Sequence, residues 1–146
     1  MKRVVLIVMC CLTLLPFGGC KRKQPNPPES RRIGTVTLRS SIAQADVWLL
    51  PDTQKNRKTT VWGAASAAGV KAGETRTAAL SEPGDNGLYL LRMIDADGFY
   101  YEANGLPLQA GWSVEIKGDG LQSMTVEVTD ETGERKNTCK LFAAKL

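Results

Sequence analysis

The segment Trp112-Ser113-Val114-Glu115-Ile116-Lys117 alternates apolar and polar side chains without interruption. Successive side chains of a β-strand point to opposite faces, so this pattern predicts a half-buried strand with its apolar residues facing a core. The turn residues Gly118-Asp119-Gly120 follow it. Between 124 and 129, Met and Val then alternate with Thr and Glu in the same manner. The two segments together predict consecutive strands joined by a short connection.

Short segments of β-favouring residues recur from Ile33 onward at intervals of roughly ten residues, as in β-sandwiches and barrels. The most hydrophobic of them, Leu88 to Ile94, is apolar on both faces and predicts the central strand. About eight strands and no helix are expected. They cover residues 34–39, 46–50, 75–80, 88–94, 99–102, 112–117 and 124–129, with a closing strand from Cys139. The sequence therefore predicts an all-β, single β-sandwich-like domain over residues 33–146.

Two segments between the predicted strands have more than one interpretation. Residues 51–60 form the longest polar stretch of the domain and contain Lys55, Arg57 and Lys58. This stretch is either a solvated connection or a loop whose three cations bind an anionic partner. The small residues 64–69 are compatible with one helical turn or with a flat edge against another surface.

The amino-terminal segment has the three parts of a bacterial export signal. Lys2-Arg3 is cationic, Val4 to Leu15 is an uncharged apolar stretch too short to cross a bilayer, and Gly18-Gly19 precede Cys20. Residues 2–20 resemble the lipobox signal of bacterial lipoproteins. The resemblance implies cleavage before Cys20, lipidation of its thiol, and a signal peptide over residues 1–19. The alternative is an ordinary secretory signal that leaves a soluble protein.

The residues after Cys20 resemble a membrane-proximal tether. Residues 20–32 carry a net charge of +4 and contain three prolines, whereas residues 33–146 carry −2. A polar, Pro-rich segment cannot bury a core and stays extended. The positive charge therefore lies beside the predicted lipid, where it favours an anionic membrane surface over nucleic acid as the partner. Lys21 is not the Asp that retains such proteins in the inner membrane of enteric-type bacteria, so either the cell membrane or the outer membrane is predicted.

The sequence contains no recognisable catalytic motif. It has no histidine, which removes Ser-His-Asp and Cys-His catalysis and the commonest zinc and copper sites. No Ser is followed three residues later by Lys, so the Ser-x-x-Lys dyad is also absent. Cys139 is the one cysteine of the predicted mature domain, and its apolar strand favours a core residue over a nucleophile. No cofactor and no metal site are predicted.

Carboxylates and aromatic residues leave two weaker hypotheses open. Asp95-x-Asp97-Gly98 has spacing that suits Ca²⁺ but lacks the further ligands of a calcium loop, which favours a turn. A carboxylate pair for glycoside hydrolysis would be drawn from Asp95, Asp97, Glu102 and Glu115. A ligand-binding aromatic face would be drawn from Trp48, Trp62, Tyr100, Tyr101 and Trp112. Core packing is the favoured interpretation for at least Trp48 and Trp112.

These observations predict a non-enzymatic lipoprotein of the bacterial cell envelope. It is anchored through Cys20 on the extracytoplasmic side of a membrane, and its β-sandwich binds another envelope protein or polymer. Lys55, Arg57 and Lys58 are the candidate partner-binding residues. The alternatives are a small carboxylate-dependent envelope hydrolase and a structural surface protein with no specific ligand.

Overall fold

The computed structural model describes residues 32–42, 45–118 and 124–144, which contain ten strands and one short helix. The helix is α1 (Gln54–Lys58). The strands are β1 (Arg32–Ser40), β2 (Ala45–Pro51), β3 (Ala67–Val70), β4 (Thr75–Ser81), β5 (Tyr89–Ile94), β6 (Tyr100–Leu106), β7 (Ser113–Lys117), β8 (Thr125–Thr129), β9 (Arg135–Lys140) and β10 (Phe142–Ala144). The predicted signal, Cys20 and the predicted tether up to Arg31 lie outside the described residues.

The strands form two five-stranded sheets. Sheet A has the order β4-β1-β7-β8-β9, and sheet B has the order β10-β6-β5-β2-β3. Neighbouring strands are antiparallel except β1 and β7, which pair in parallel. The predicted all-β, sandwich-like fold is confirmed. β5 is the middle strand of sheet B, as the hydrophobicity of residues 88–94 predicts.

The hydrophobic core contains inward-facing side chains of both sheets. From sheet A it takes alternate residues of β1, β7 and β8, and the alternation predicted around Val114 and Ile116 is confirmed. Trp112, immediately before β7, is partly buried and packs against this core. Sheet B contributes alternate residues of β2, β5 and β6, including the fully buried Leu91 and Met93. The core therefore uses one face of each sheet, and the other two faces are outward.

The structure has more strands than the sequence predicts. β3 occupies part of the small-residue segment 64–69 and pairs with β2 at the edge of sheet B, so residues 67–69 belong to an edge strand and not to a helical turn. The Asp46 carboxylate accepts a hydrogen bond of 2.8 Å from the Gly69 backbone N–H and helps to hold this edge. At the other end of the chain, the predicted closing strand is divided into β9 in sheet A and β10 in sheet B.

The polar stretch 51–60 contains α1, which corrects the expectation of no helix. Thr53 caps the helix, because its hydroxyl accepts a hydrogen bond of 3.1 Å from the Asn56 backbone N–H. Asn56 also donates from its side-chain amide to the Pro51 carbonyl at 2.8 Å. Five residues are too few to show a helical period in the sequence, so these capping contacts are the local cause of the helix.

The outward faces of the two sheets differ. On sheet A, the outward residues of β1, β7 and β8 are mostly Thr, Ser and charged residues. On sheet B, Trp48, Arg92 and Tyr100 are outward yet buried. Residues 52–66, here called the covering segment, lie over them: the Trp48 indole N–H donates to the Gly63 carbonyl at 3.2 Å. The covering segment builds the candidate site.

Candidate functional site

A row of four paired residues crosses the outward face of sheet B. Trp48 on β2 pairs with Arg92 on β5, Arg92 pairs with Glu102 on β6, and Glu102 pairs with Phe142 on β10. Directly paired residues place their side chains on the same face of a sheet. An aromatic ring, a cation, a carboxylate and a second aromatic ring therefore lie side by side.

Arg92 is the centre of this row, and its residue is only 2% exposed. Its guanidinium donates to the Glu102 carboxylate at 2.8 Å, to the Thr59 carbonyl at 2.8 Å and to the Arg57 carbonyl at 3.0 Å. A buried charge is tolerated when it is paired and hydrogen-bonded. Arg92 thus fixes two carbonyls of the covering segment above the sheet.

Two aromatic rings, Trp62 and Tyr100, lie against the Arg92 guanidinium, and Trp48 packs on Trp62. The Trp62 ring centre lies 5.0 Å from the guanidinium carbon and 5.2 Å from the Tyr100 ring centre, with 30° between the two ring planes. Trp48 meets Trp62 edge to face at 5.0 Å. The Trp62 indole N–H donates to the Thr59 carbonyl at 2.9 Å. Cation–π contacts and ring stacking therefore hold the covering segment against sheet B.

Tyr100 and Glu102 form a second polar contact beside Arg92. The Tyr100 hydroxyl donates to the Glu102 carboxylate. Burial raises the pKa of Tyr100 well above its usual value, and the Glu102 hydrogen bond and charge raise it further. Tyr100 consequently stays a neutral donor, and the Glu102 carboxylate is engaged by two side chains at once.

The Asp52 carboxylate anchors the start of the covering segment. Its side chain is fully buried and accepts from the Arg57 guanidinium at 2.5 and 2.8 Å and from the Gly105 backbone N–H at 3.0 Å. The Arg57 hydrogen bond is the main reason that the pKa of Asp52 lies below its usual value. Asp52 therefore links α1 to β6, through Arg57 on the helix and Gly105 on the strand.

A concavity of about 460 Å³ opens where the covering segment meets β6 and β10. Its wall includes Trp62 and Tyr100 from the packed rings, and Phe142, which is 71% exposed. Arg57, Lys58 and Arg92 also line it, together with Thr60 and Asn104 and, among the described residues, a single carboxylate, Glu102. Among the described residues, the side chains of Lys58, Thr60 and Asn104 have no hydrogen-bond or ion-pair partner, so their polar groups are open to a ligand.

The structure divides the predicted partner-binding cations. Arg57 and Lys58 line the concavity, whereas Lys55 is exposed on α1 and does not line it. Arg57 is also an anchoring residue through Asp52. Residues 57–60 of the polar stretch therefore line the concavity, next to the anchoring pair of Arg57 and Asp52.

The predicted aromatic face is partly assembled. Trp48, Trp62 and Tyr100 come together on the outward face of sheet B. Trp48 is buried there beneath the covering segment and lies outside the main core cluster. Tyr101 points into the core, and Trp112 packs against that core beside sheet A.

The four candidate carboxylates do not share a site. Glu102 lies in the concavity, while Glu115 is on the outward face of sheet A, 3.1 Å from the Lys117 ammonium. Asp95 belongs to the turn between β5 and β6, where its Oδ1 accepts from the backbone N–H groups of Asp97 and Phe99 at 3.0 and 2.9 Å. The turn interpretation of residues 95–98 is therefore confirmed.

Cys139 and metal ligation add no further site within the described ranges. Cys139 is half-buried on β9, and burial raises the pKa of its thiol, which keeps it protonated at neutral pH. The described residues contain no cluster of three or more side chains able to hold a metal ion. Nor do they contain a helix long and apolar enough to cross a membrane.

Comparison with protein-family models, with curated proteins and with solved structures finds no match to this chain. The site must therefore be interpreted from its own contacts. Sequence reasoning passed over three of its residues, Arg92, Asn104 and Phe142. A lone cation within an otherwise apolar central strand is the signal that would have identified Arg92.

Proposed function

We propose that this protein is a lipid-anchored component of the bacterial envelope whose β-sandwich binds an envelope polymer or protein through the concavity. The observation that carries the proposal is the composition of the concavity wall. It combines aromatic rings, cations and unpartnered polar groups in a volume typical of ligand sites. Exposed Phe142 and unpartnered Lys58 contribute little to folding, which favours a role in binding.

The anchor rests on residues 1–32. The signal-like segment, the Gly-Gly-Cys sequence ending at Cys20 and the +4 charge of residues 20–32 support a lipidated Cys20 beside an anionic membrane surface. The domain would then stand on the extracytoplasmic side of the cell membrane or outer membrane. Binding of nucleic acid is not proposed, because the positive charge is concentrated at the membrane end of the chain.

The wall of the concavity favours binding over hydrolysis. Glycosidases of the usual kind need two carboxylates on either side of the scissile bond. Among the described residues the wall of the concavity contains one, Glu102, and its Oε2 already accepts from both Arg92 and Tyr100. No specific observation supports the alternative of a hydrolase.

Capture of envelope components tests the binding proposal. Full-length protein extracted in mild detergent is immobilised and exposed to solubilised envelope polymers and proteins. The Phe142→Ala variant removes an exposed ring of the concavity, and Ile33→Ala removes an exposed apolar side chain from β1 as a matched control. We expect wild type and Ile33→Ala to capture the same component and Phe142→Ala to lose most of it. Equal capture by all three proteins, or no specific capture, contradicts the proposal and favours a structural protein with no specific ligand.

The intact mass of membrane-extracted protein tests the anchor separately. We expect a chain that begins at Cys20 and carries two or three acyl chains, and a Cys20→Ala variant that remains uncleaved. An unmodified mature chain in the soluble fraction would contradict the anchor and leave a secreted protein.

A further inference from the structure

We propose that the concavity binds an anionic glycan, one or two sugar rings of which lie against Phe142 and carry a carboxylate or phosphate toward Lys58. This inference rests on the proposed function and names the class of ligand for the same site. It follows from the charges of the wall, the exposed ring and the polar groups between them.

The charges of the wall leave a positive excess. Arg92 is paired with Glu102, and Arg57 is paired with the buried Asp52. Lys58 remains without an ion-pair partner among the described residues, and it lies on the wall beside Arg57. The Arg57 side chain is 48% exposed and uses only its Nε and one terminal nitrogen for Asp52. A ligand with negative charge therefore meets one unpaired ammonium and the remaining N–H groups of one guanidinium.

The ring and the polar groups of the wall suit a sugar. The apolar face of a sugar ring packs on an aromatic ring, and Phe142 offers such a ring with most of its surface in solvent. Thr60 and Asn104 offer a hydroxyl and an amide with no partner in the described part of the chain, and these groups both donate and accept. Sugar hydroxyls need partners of that kind.

An extended peptide is a poorer fit to the same place. A peptide that adds to the edge of sheet B would pair with β10, which is only three residues long. Such an edge supplies few backbone hydrogen bonds, which are the main source of affinity in strand addition. The glycan is therefore the ligand that the wall favours.

Calorimetric titration of full-length protein in neutral detergent tests this inference with four probes. Trigalacturonate carries carboxylates, its methyl ester has the same rings without charge, glucose 6-phosphate carries phosphate, and hexaglutamate is an acidic peptide. We expect saturable binding of at least one charged sugar and binding of the methyl ester about tenfold weaker or more. Binding of trigalacturonate alone, or of glucose 6-phosphate alone, supports the inference and identifies the anionic group.

Matched variants locate the binding. Lys58→Ala and Lys55→Ala remove the same charge from α1, but only Lys58 lines the concavity. We expect Lys58→Ala to weaken binding of the charged sugar about fivefold, within the range of an exposed ion pair, and Lys55→Ala to leave it nearly unchanged. Phe142→Ala is expected to weaken it by a similar factor, and Ile33→Ala to leave it unchanged.

Three results of the titration overturn the inference: no binding of either charged sugar, equal binding of the methyl ester, or tighter binding of hexaglutamate. Equal effects of Lys58→Ala and Lys55→Ala also overturn it, because the charge would then act from anywhere on α1. If envelope capture depends on Phe142 but no sugar binds, the glycan inference is wrong and the proposed function still holds. If neither envelope capture nor sugar binding is seen, both proposals are wrong.

Discussion

The outward faces of the two sheets show how differently two surfaces of one sandwich are used. On sheet A, Thr77, Thr37, Ser113 and Thr129 are paired in one row across four strands. On sheet B, the corresponding row contains Trp48, Arg92, Glu102 and Phe142. The hydroxyl side chains of the first row can be hydrated and need no cover. In the second row the Trp48 ring and the Arg92 charge need partners, and the covering segment supplies them.

The position of the concavity follows from where the covering segment ends. The covering segment satisfies Arg92 and Trp48 through backbone carbonyls, but it does not extend over Phe142 on the edge strand β10. The concavity forms at this limit of the cover, between α1 and β10. The site is thus the part of the outward face of sheet B that the covering segment leaves exposed.

Loss of Arg92 should have the largest effect on stability. Arg92→Leu removes the buried guanidinium that donates to Glu102 and to two backbone carbonyls of the covering segment, so we expect the free energy of unfolding to fall by about 3–5 kcal/mol. Arg39→Leu on the outward face of sheet A is the control and should change it by no more than about 0.5 kcal/mol. Urea unfolding followed by tryptophan fluorescence measures both. Similar losses of stability for the two variants would show that the outward faces of sheets A and B do not differ in this way.

Replacement of Asp52 should have an intermediate effect that depends on pH. Asp52→Asn removes the charged partner of Arg57, and we expect a loss of about 1–3 kcal/mol at pH 7. The pKa of Asp52 is lowered in the folded protein, so its stabilisation is complete above the usual value of 3.8 and disappears as the pH falls below it. Urea midpoints at pH 7 and pH 3 should differ less for the variant than for wild type. An unchanged pH dependence would remove Asp52 as the anchor.

The three tyrosines lie on β5 and β6 of sheet B. They should resist ionisation because all three are buried. Burial raises the pKa of Tyr89 and Tyr100, and burial together with the Asp95 hydrogen bond raises the pKa of Tyr101 to about 12. Near pH 10, absorbance at 295 nm should show little tyrosinate in the folded protein and about half ionisation in urea. Since the folded state holds these protons more tightly, stability should decline as the pH rises above 10. Ordinary titration of the folded protein would contradict the burial of these rings.

Substitution on the outward face of sheet A should have the smallest effect. Thr37 is exposed on β1, and Thr37→Val keeps a β-branched side chain of similar size. We expect a change in the free energy of unfolding within about 0.5 kcal/mol and no change in envelope capture. A clear loss of capture would move the binding surface to sheet A.

The sequence predicts those parts of the fold where alternation or turn chemistry is strong. Val114 and Ile116 mark β7, and the turn at residues 95–98 follows from its Asp and Gly residues. β3 is not predictable in this way, because Ala67, Ala68 and Gly69 have little β-propensity, and the pairing with β2 creates the strand. Register across strands, which places Arg92 beside Glu102 and Trp48, is a tertiary property without a local signal.

The candidate site was predictable only in its parts. Lys58, Trp62 and Tyr100 are visible in the sequence as a cation within a polar stretch and as aromatic residues. Their meeting depends on the covering segment folding back over sheet B, which is held by Asp52 and Arg92 through contacts between residues 33 to 53 positions apart. Contacts between residues so far apart in the chain leave no mark on the alternation of apolar and polar residues in the sequence.

Amide and indole chemical-shift mapping of the full-length protein against its captured envelope ligand shows whether the ligand binds in the concavity on sheet B. We expect the Trp62 indole, the Asn104 side-chain amide and the Phe142 backbone amide to shift on titration, while Thr37 and Thr129 on sheet A do not. Shifts confined to sheet A, or spread equally over both outward faces, would contradict it.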